Sequence, residues 1–224
     1  MKSDHSRYTF FHLVDKRERW GLTWWGRIAL LLVLVVAVLG TLPYIHGFLA
    51  VDTPLKGQLL VVEGWIPDYA LPGAISEFGK NGYKLMIAVG GPIEVGSHLS
   101  DFKSYARLMQ ARLIQLGFDE KRLMVLETGD VKKDRTYQSA KVVRRWAVLN
   151  KIPLQGLDVY TLGPHARRSR LLFQKAFGQE VAVGVIAAKD QDYDPKSWWK
   201  CSEGVRTVVG ELIAYVYALI FFHR

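Results

Sequence analysis

Cysteine is almost absent: Cys201 is the only one in 224 residues. That excludes an intramolecular disulfide framework, a CxxC redox pair and a multi-cysteine zinc site. Charge is sparse too, at 23% against 50% hydrophobic residues, so neither a disordered chain nor a coiled coil fits. There is no internal repeat and no low-complexity linker. Acidic residues are outnumbered by Lys and Arg, 21 to 30, for a net charge of +9. Such a balance suits anionic partners (phospholipid surfaces, phosphorylated ligands or nucleic acid) without choosing among them. The length allows one α/β domain plus an additional segment.

From Ile28 to Val51 there is no Asp, Glu, Lys or Arg, and the run from Ile28 to Leu39 is apolar without periodicity. Roughly twenty such residues span a ~30 Å hydrocarbon core, although Pro43 and His46 favour a kink or an early end in the second half. Trp20, Trp24 and Trp25 stand where aromatics prefer the headgroup layer. Residues 1–27 carry Lys2, Arg7, Lys16, Arg17, Arg19 and Arg27 against Asp4, Asp15 and Glu18. The positive-inside rule therefore predicts a cytoplasmic N-terminus and an extracytoplasmic 52–224. The run exceeds a signal-peptide core and no A-x-A-like site follows, so it reads as an uncleaved signal anchor; a cleaved signal or a buried core helix are the alternatives. Three segments result: a cytoplasmic 1–27, a transmembrane 28–51 and an outer domain, 52–224.

In the outer domain, short apolar runs alternate with amphipathic stretches. The pattern predicts strands at Gln58–Glu63, Lys84–Val89, Leu123–Glu127, Leu157–Leu162 and Val181–Ile186. Helices are expected over Leu71–Asn81, Ser100–Leu116, Thr136–Asn150 and His165–Phe177. Near-continuous apolar strands suit burial on both faces, and the βα alternation implies a doubly wound, mainly parallel, Rossmann-like sheet. A last helix-like stretch, Glu203–Phe222, is interrupted by Glu211 and too short to read as a second span. It is expected to pack on the sheet, with a membrane-dipping helix as the alternative.

Ligands of such sheets sit beyond the carboxyl ends of the strands. Glu63 ends the first strand and places a carboxylate at that rim, with Asp68 and Tyr69 nearby; its structural alternative is to accept from backbone N–H groups of the next turn. Gly90-Gly91 after the second strand lets a ligand approach backbone N–H groups, or simply makes a tight turn. It is neither a Walker motif nor a dinucleotide Gly-x-Gly-x-x-Gly. Glu127, Arg135 and Thr136 fall near the same rim, where Asp134 or Thr136 also suits a helix N-cap. After the fourth strand, His165 opens a helix with Arg167, Arg168 and Arg170 in its first turns, against the usual preference for acids there. Imidazole, guanidinium forks and helix N–H groups converging suit an anion; a solvated basic face is the alternative.

Order and residue types together resemble the YdcF-like family of bacterial envelope proteins (SanA- and ElyC-like) over roughly residues 57–222. Glu127, Thr136, Ala140, His165 and Arg168 match its pattern, while Arg135, Gln138 and Ser139 stand where Asn, Glu and Asn are usual. The first turn, Glu63-Gly64-Trp65, departs from a Gly-rich one. The resemblance implies a Rossmann-like fold and a role in envelope integrity, peptidoglycan or lipid-carrier metabolism. The cofactor stays unassigned: no methyltransferase-type Gly-x-Gly turn follows the first strand, so S-adenosylmethionine is not assigned, and no metal ligand is chosen.

The expected function is binding or processing of a phosphorylated, membrane-associated glycan or lipid carrier. Arg167 and Arg168 hold the anion, with Arg135 and Thr136 beside it, Gly90 and Gly91 admit it, and His165 with Glu127 or Glu63 supplies acid–base groups. The alternative is a non-catalytic scaffold or binding module that positions partners at the membrane. Nucleic acid is not expected as a partner outside the cytoplasm, nor is transport with one span.

Overall fold

A computed structural model describes residues 8–9, 14–15, 21–94, 96 and 99–222. Lys2, Asp4, Arg7, Lys16, Arg17, Glu18, Arg19 and Trp20, on which the orientation rests, lie outside these residues, as do Val95 and Ser97 of the glycine turn. The chain divides into two compact units, 1–41 and 42–224.

Helix α1 runs over Trp24–Leu49. It opens at Thr23, whose Oγ1 accepts from Gly26 N at 3.1 Å. Its most apolar window has a mean hydropathy of 2.7 and none of it is buried, so by length and composition the helix can cross a membrane. Of the expected kink or early end, the early end does not occur: Pro43 lies inside the helix, which runs on to Leu49. A proline deletes one N–H donor, and in apolar surroundings the rest of the ladder favours staying helical.

The second unit is an α/β domain. Five parallel strands, β1 (Leu59–Glu63), β2 (Leu85–Gly90), β3 (Leu123–Glu127), β4 (Gly156–Leu162) and β5 (Ala182–Ala188), pair in the order β3-β2-β1-β4-β5. The order reverses between β1 and β4, the switch point of a Rossmann-like sheet. Alternate strand residues feed two cores. Leu60, Val62, Met86 and Ala88 pack with α2 (Leu71–Lys80) and α3 (Tyr105–Gln115) on one face. Leu59, Val61, Ile87 and Val89 pack with α4 (Arg135–Leu149) and α5 (His165–Phe177) on the other. The strands are apolar on both sides because both faces are covered.

Two helices differ from their sequence-based expectations. Helix α3 begins at Tyr105, not Ser100, because Ser104 takes the N-cap and its Oγ accepts from Arg107 N at 3.2 Å. The last helix, α6 (Ser202–Phe221), packs beside α5 and not on the sheet, whose faces α2–α5 already occupy. At 20 residues, with a window of mean hydropathy 1.5, it is, contrary to expectation, long and apolar enough to cross a membrane by length and composition. It meets the end of α1 in a small core of Leu49, Tyr193, Trp198 and Val208. There Trp198 Nε1 donates to Leu42 O at 3.1 Å. The compact domain thereby takes in residues 42–51 as well as 52–224.

Candidate functional site

A cavity of about 570 Å³ opens beyond the carboxyl ends of β1 and β2, beside the switch point. Of the residues singled out from sequence, Glu63, Gly90, Gly91, Arg135, Thr136, His165 and Arg168 line it together. Glu127 and Arg167 are elsewhere.

Strand periodicity explains Glu63. It shares the phase of Leu59 and Val61, so its carboxylate turns to the α4/α5 face and is only 3% exposed. Ser169 Oγ donates to its Oε2 at 3.0 Å, and the Thr161 hydroxyl donates to the same oxygen. His165 Nε2 lies 3.5 Å from that oxygen and 3.5 Å from Thr136 Oγ1. The other side of the ring faces Glu211 of α6, with Nδ1 2.9 Å from Oε1. Arg168 closes the chain with a fork to Glu211, Nε to Oε2 at 2.8 Å and Nη2 to Oε1 at 3.0 Å. Trp65 sets its ring edge-on to the imidazole, with centroids 4.9 Å apart. Glu63 and His165 are thus buried, and Glu211 and Arg168, half-buried, continue the chain toward the surface.

The electrostatics follow. Burial alone lowers the pKa of His165, but the charge of Glu63 and the hydrogen bonds to Glu211 and Glu63 overcome it and raise it to about 9. Burial pushes Glu63 up, but the His165 charge and the hydrogen bonds from His165, Thr161 and Ser169 hold it below the ordinary range. Glu211 is likewise pushed up by burial, yet His165 and Arg168 bring it to about 2. The two carboxylates thus favour the charged ring and clamp it in one orientation, while the Arg168 guanidinium, with Nη2 2.9 Å from Nδ1, works against them.

Helical phase explains the arginines. Arg168 and Ser169 follow His165 at i+3 and i+4 on one face, while Arg167 points away. Arg167 Nε donates to Phe48 O, and its guanidinium lies over the Phe48 ring at 3.9 Å. Arg168 lines the cavity with its Nε and Nη2 engaged by Glu211, whereas Arg167 lies outside the cavity lining. Glu127 takes the opposite strand phase from Glu63, lies on the α3 side and pairs with Arg107 at 2.9 Å.

The accessible polar groups gather at the start of α4. Asp134 takes the N-cap position, as one of the two expected residues, but sits in the left-handed region at φ 56° and its side chain makes no cap hydrogen bond. Thr136 is inside the helix. The first N–H groups of α4 thus have no acceptor among the described residues. Around them stand Lys132, unpaired among the described residues, and Arg135, which meets Glu94 at 2.9 Å in a pair more than half exposed on both sides. Exposed pairs exchange readily. Ser139, buried in the next turn, lines the cavity with no hydrogen-bond partner among the described residues. The glycines have packing reasons. A Cβ at Gly90 would come within 2.9 Å of Tyr105 Cβ, and one at Gly91 within 3.0 Å of Thr128 Oγ1.

Glu211, Ser139, Lys132, Thr161 and Ser169 are site residues that sequence reasoning did not choose. A signal for Glu211 was present: it is the only charge between Thr207 and Phe222, and a lone acid in an apolar helix needs a buried partner. Among the described residues no cluster of three or more His, Cys, Asp or Glu could hold a metal ion. No protein-family model matches the chain, and no curated protein matches it.

Proposed function

We propose that the chain is a YdcF-like envelope protein, anchored by α1 with its N-terminus in the cytoplasm. Its outer α/β domain takes a phosphorylated glycan or lipid-carrier ligand into the switch-point cavity. The observation that carries this reading is the buried imidazolium between Glu63 and Glu211, opening on a cavity of about 570 Å³. Thr136, His165 and Arg168, three of the five positions that carry the resemblance, line that cavity together. The anionic group of the ligand sits at the start of α4, where unbonded N–H groups, Arg135, Lys132 and the Ser139 hydroxyl offer donors. Arg168 has a different role from the one expected: it fixes Glu211, and Glu211 fixes the imidazole. A ligand oxygen arriving at Nε2 meets an N–H donor, and Glu63, held ionised beside it, keeps the ring charged and restores its proton after transfer to the ligand, which is acid–base chemistry of the general kind.

The test is a thermal-shift panel on the detergent-solubilised full chain with short polyprenyl phosphates, sugar phosphates, nucleotides and S-adenosylmethionine. A phosphorylated ligand at about a hundred times its Kd should add roughly 3 kcal/mol, or on the order of 5–10 °C. Arg135→Ala should lose most of that gain. A panel without any shift would contradict the proposal and favour a scaffold role.

A further inference from the structure

We propose that the outward face of α6 is a lipid-contacting surface that lies in the interfacial layer of the bilayer crossed by α1. The inference rests on reading α1 as a membrane-spanning helix and goes beyond the ligand-binding role of the cavity.

The inner side of α6 has clear occupants. Gly204, Val208 and Ala218 are buried, and Glu211 reaches His165 and Arg168. The opposite side has none among the described residues. Val209, Ile213, Val216, Tyr217 and Ile220 form one exposed stripe, with Ile213 65% exposed. Beyond Arg206 no charge falls on that stripe as far as Phe222. A folded domain in water gains nothing from five adjacent apolar side chains left in solvent, and a contiguous patch of this kind marks an interaction surface.

Chain continuity chooses the occupant. The residues of α1 that α6 packs against are Leu42, Ile45 and Leu49, the last turns of the charge-free run. Phe48 adds an edge-on ring contact with Tyr215, centroids 5.8 Å apart. At about 1.5 Å per residue, some twenty residues from Ile28 bring the helix to the far interface near Gly47. Residues 42–49 are then at the outer headgroup level, and α6 is held against them. The approach to α6 has the composition of an interfacial segment: a half-buried Trp199, then exposed Lys200 and Arg206 on either side of Glu203. Indole prefers that layer, and basic side chains favour anionic headgroups there. An amphipathic helix lying in the plane of the membrane has this distribution. Because the same helix carries Glu211, the cavity then has a wall whose outer side touches lipid, a suitable place to receive a lipid-linked ligand.

The test uses the full chain, with Cys201→Ser as background, in vesicles of phosphatidylcholine and phosphatidylglycerol. Single variants Ile213→Cys, Ile220→Cys, Leu32→Cys and Lys121→Cys carry a bimane label, and brominated phospholipids serve as quenchers. All four positions are exposed, so the fold should tolerate the labels. A face sunk about 5–10 Å into the interface is within reach of bromine on the upper acyl chain, so labels at 213 and 220 should lose roughly half their emission. The label at 32 should be quenched as well, and the one at 121 should not. If 32 is quenched while 213 and 220 behave like 121, the α6 proposal fails and the anchor stands. If 32 is not quenched, the anchor reading itself fails. Unquenched 213 labels that cross-link between copies would assign the face to a second chain and overturn the proposal.

Discussion

Replacing Glu63 by alanine should cost roughly 3–5 kcal/mol of stability, because it removes one partner of a buried ion pair and leaves the other charged. His165 then keeps Glu211 alone, and the Thr161 and Ser169 hydroxyls lose their acceptor. The pH dependence separates this from an ordinary core defect. In the folded chain His165 is held at about 9 against an ordinary value of 6.5. The stability it contributes is complete below pH 6.5 and is lost as pH rises through 9, a fall of roughly 3 kcal/mol. Glu211 acts on the acid side: it titrates at about 2 against 4.5, so its contribution is complete above pH 4.5 and disappears as pH falls through 2. Urea unfolding of the full chain between pH 6 and 10 should show the alkaline fall in the wild type and a clearly smaller one in Glu63→Ala. A wild type whose stability is flat from pH 6.5 to 9 would contradict the assignment.

A second large effect is expected far from the cavity. Asp158 in β4 is fully buried and ties the segment before β1 to the sheet. Its Oδ1 accepts from Leu55 N at 2.7 Å, and its Oδ2 from Gly57 N at 2.9 Å and from Tyr83 Oη at 2.9 Å. Asp158→Ala orphans three donors that share one buried acceptor, for a loss of about 4 kcal/mol. Asp158→Asn keeps one acceptor oxygen and turns an amide N–H toward the remaining donor, so about half that loss should follow. Equilibrium denaturation of both variants checks the order. An alanine variant within about 1 kcal/mol of wild type, the worth of one ordinary hydrogen bond, would contradict it.

The contrast between these two carboxylates shows what was legible in the sequence. Every strand and helix of the α/β domain was visible from runs of aliphatic residues and their 3.6-residue counterparts, and His165–Phe177 and Leu123–Glu127 have the expected ends. Ends governed by a cap were less visible, as at Ser104. Glu63 and His165 could be placed because both terminate or follow strands, and strand ends converge in this topology. The parity of each strand could not be read. Glu63 and Glu127 are both strand-terminal acids, yet one faces α5 and the other Arg107. Asp158 drew no notice within its strand because its backbone partners lie about a hundred residues away. Glu211 stood out as a lone charge, but its partners did not, since a helix reveals its own stripe and not the helix that will cover it. The Arg167 and Arg168 split was readable from helical phase alone.

The most direct test of the central claim is a titration of the His165 ring by ¹⁵N NMR, on imidazole-labelled protein with the other five histidines assigned by substitution. The expected result is an imidazolium that persists to an apparent pKa near 9, with ring signals that move when a phosphorylated ligand enters the cavity. A ring that titrates near 6.5 and ignores every ligand would contradict both the buried clamp and the function built on it.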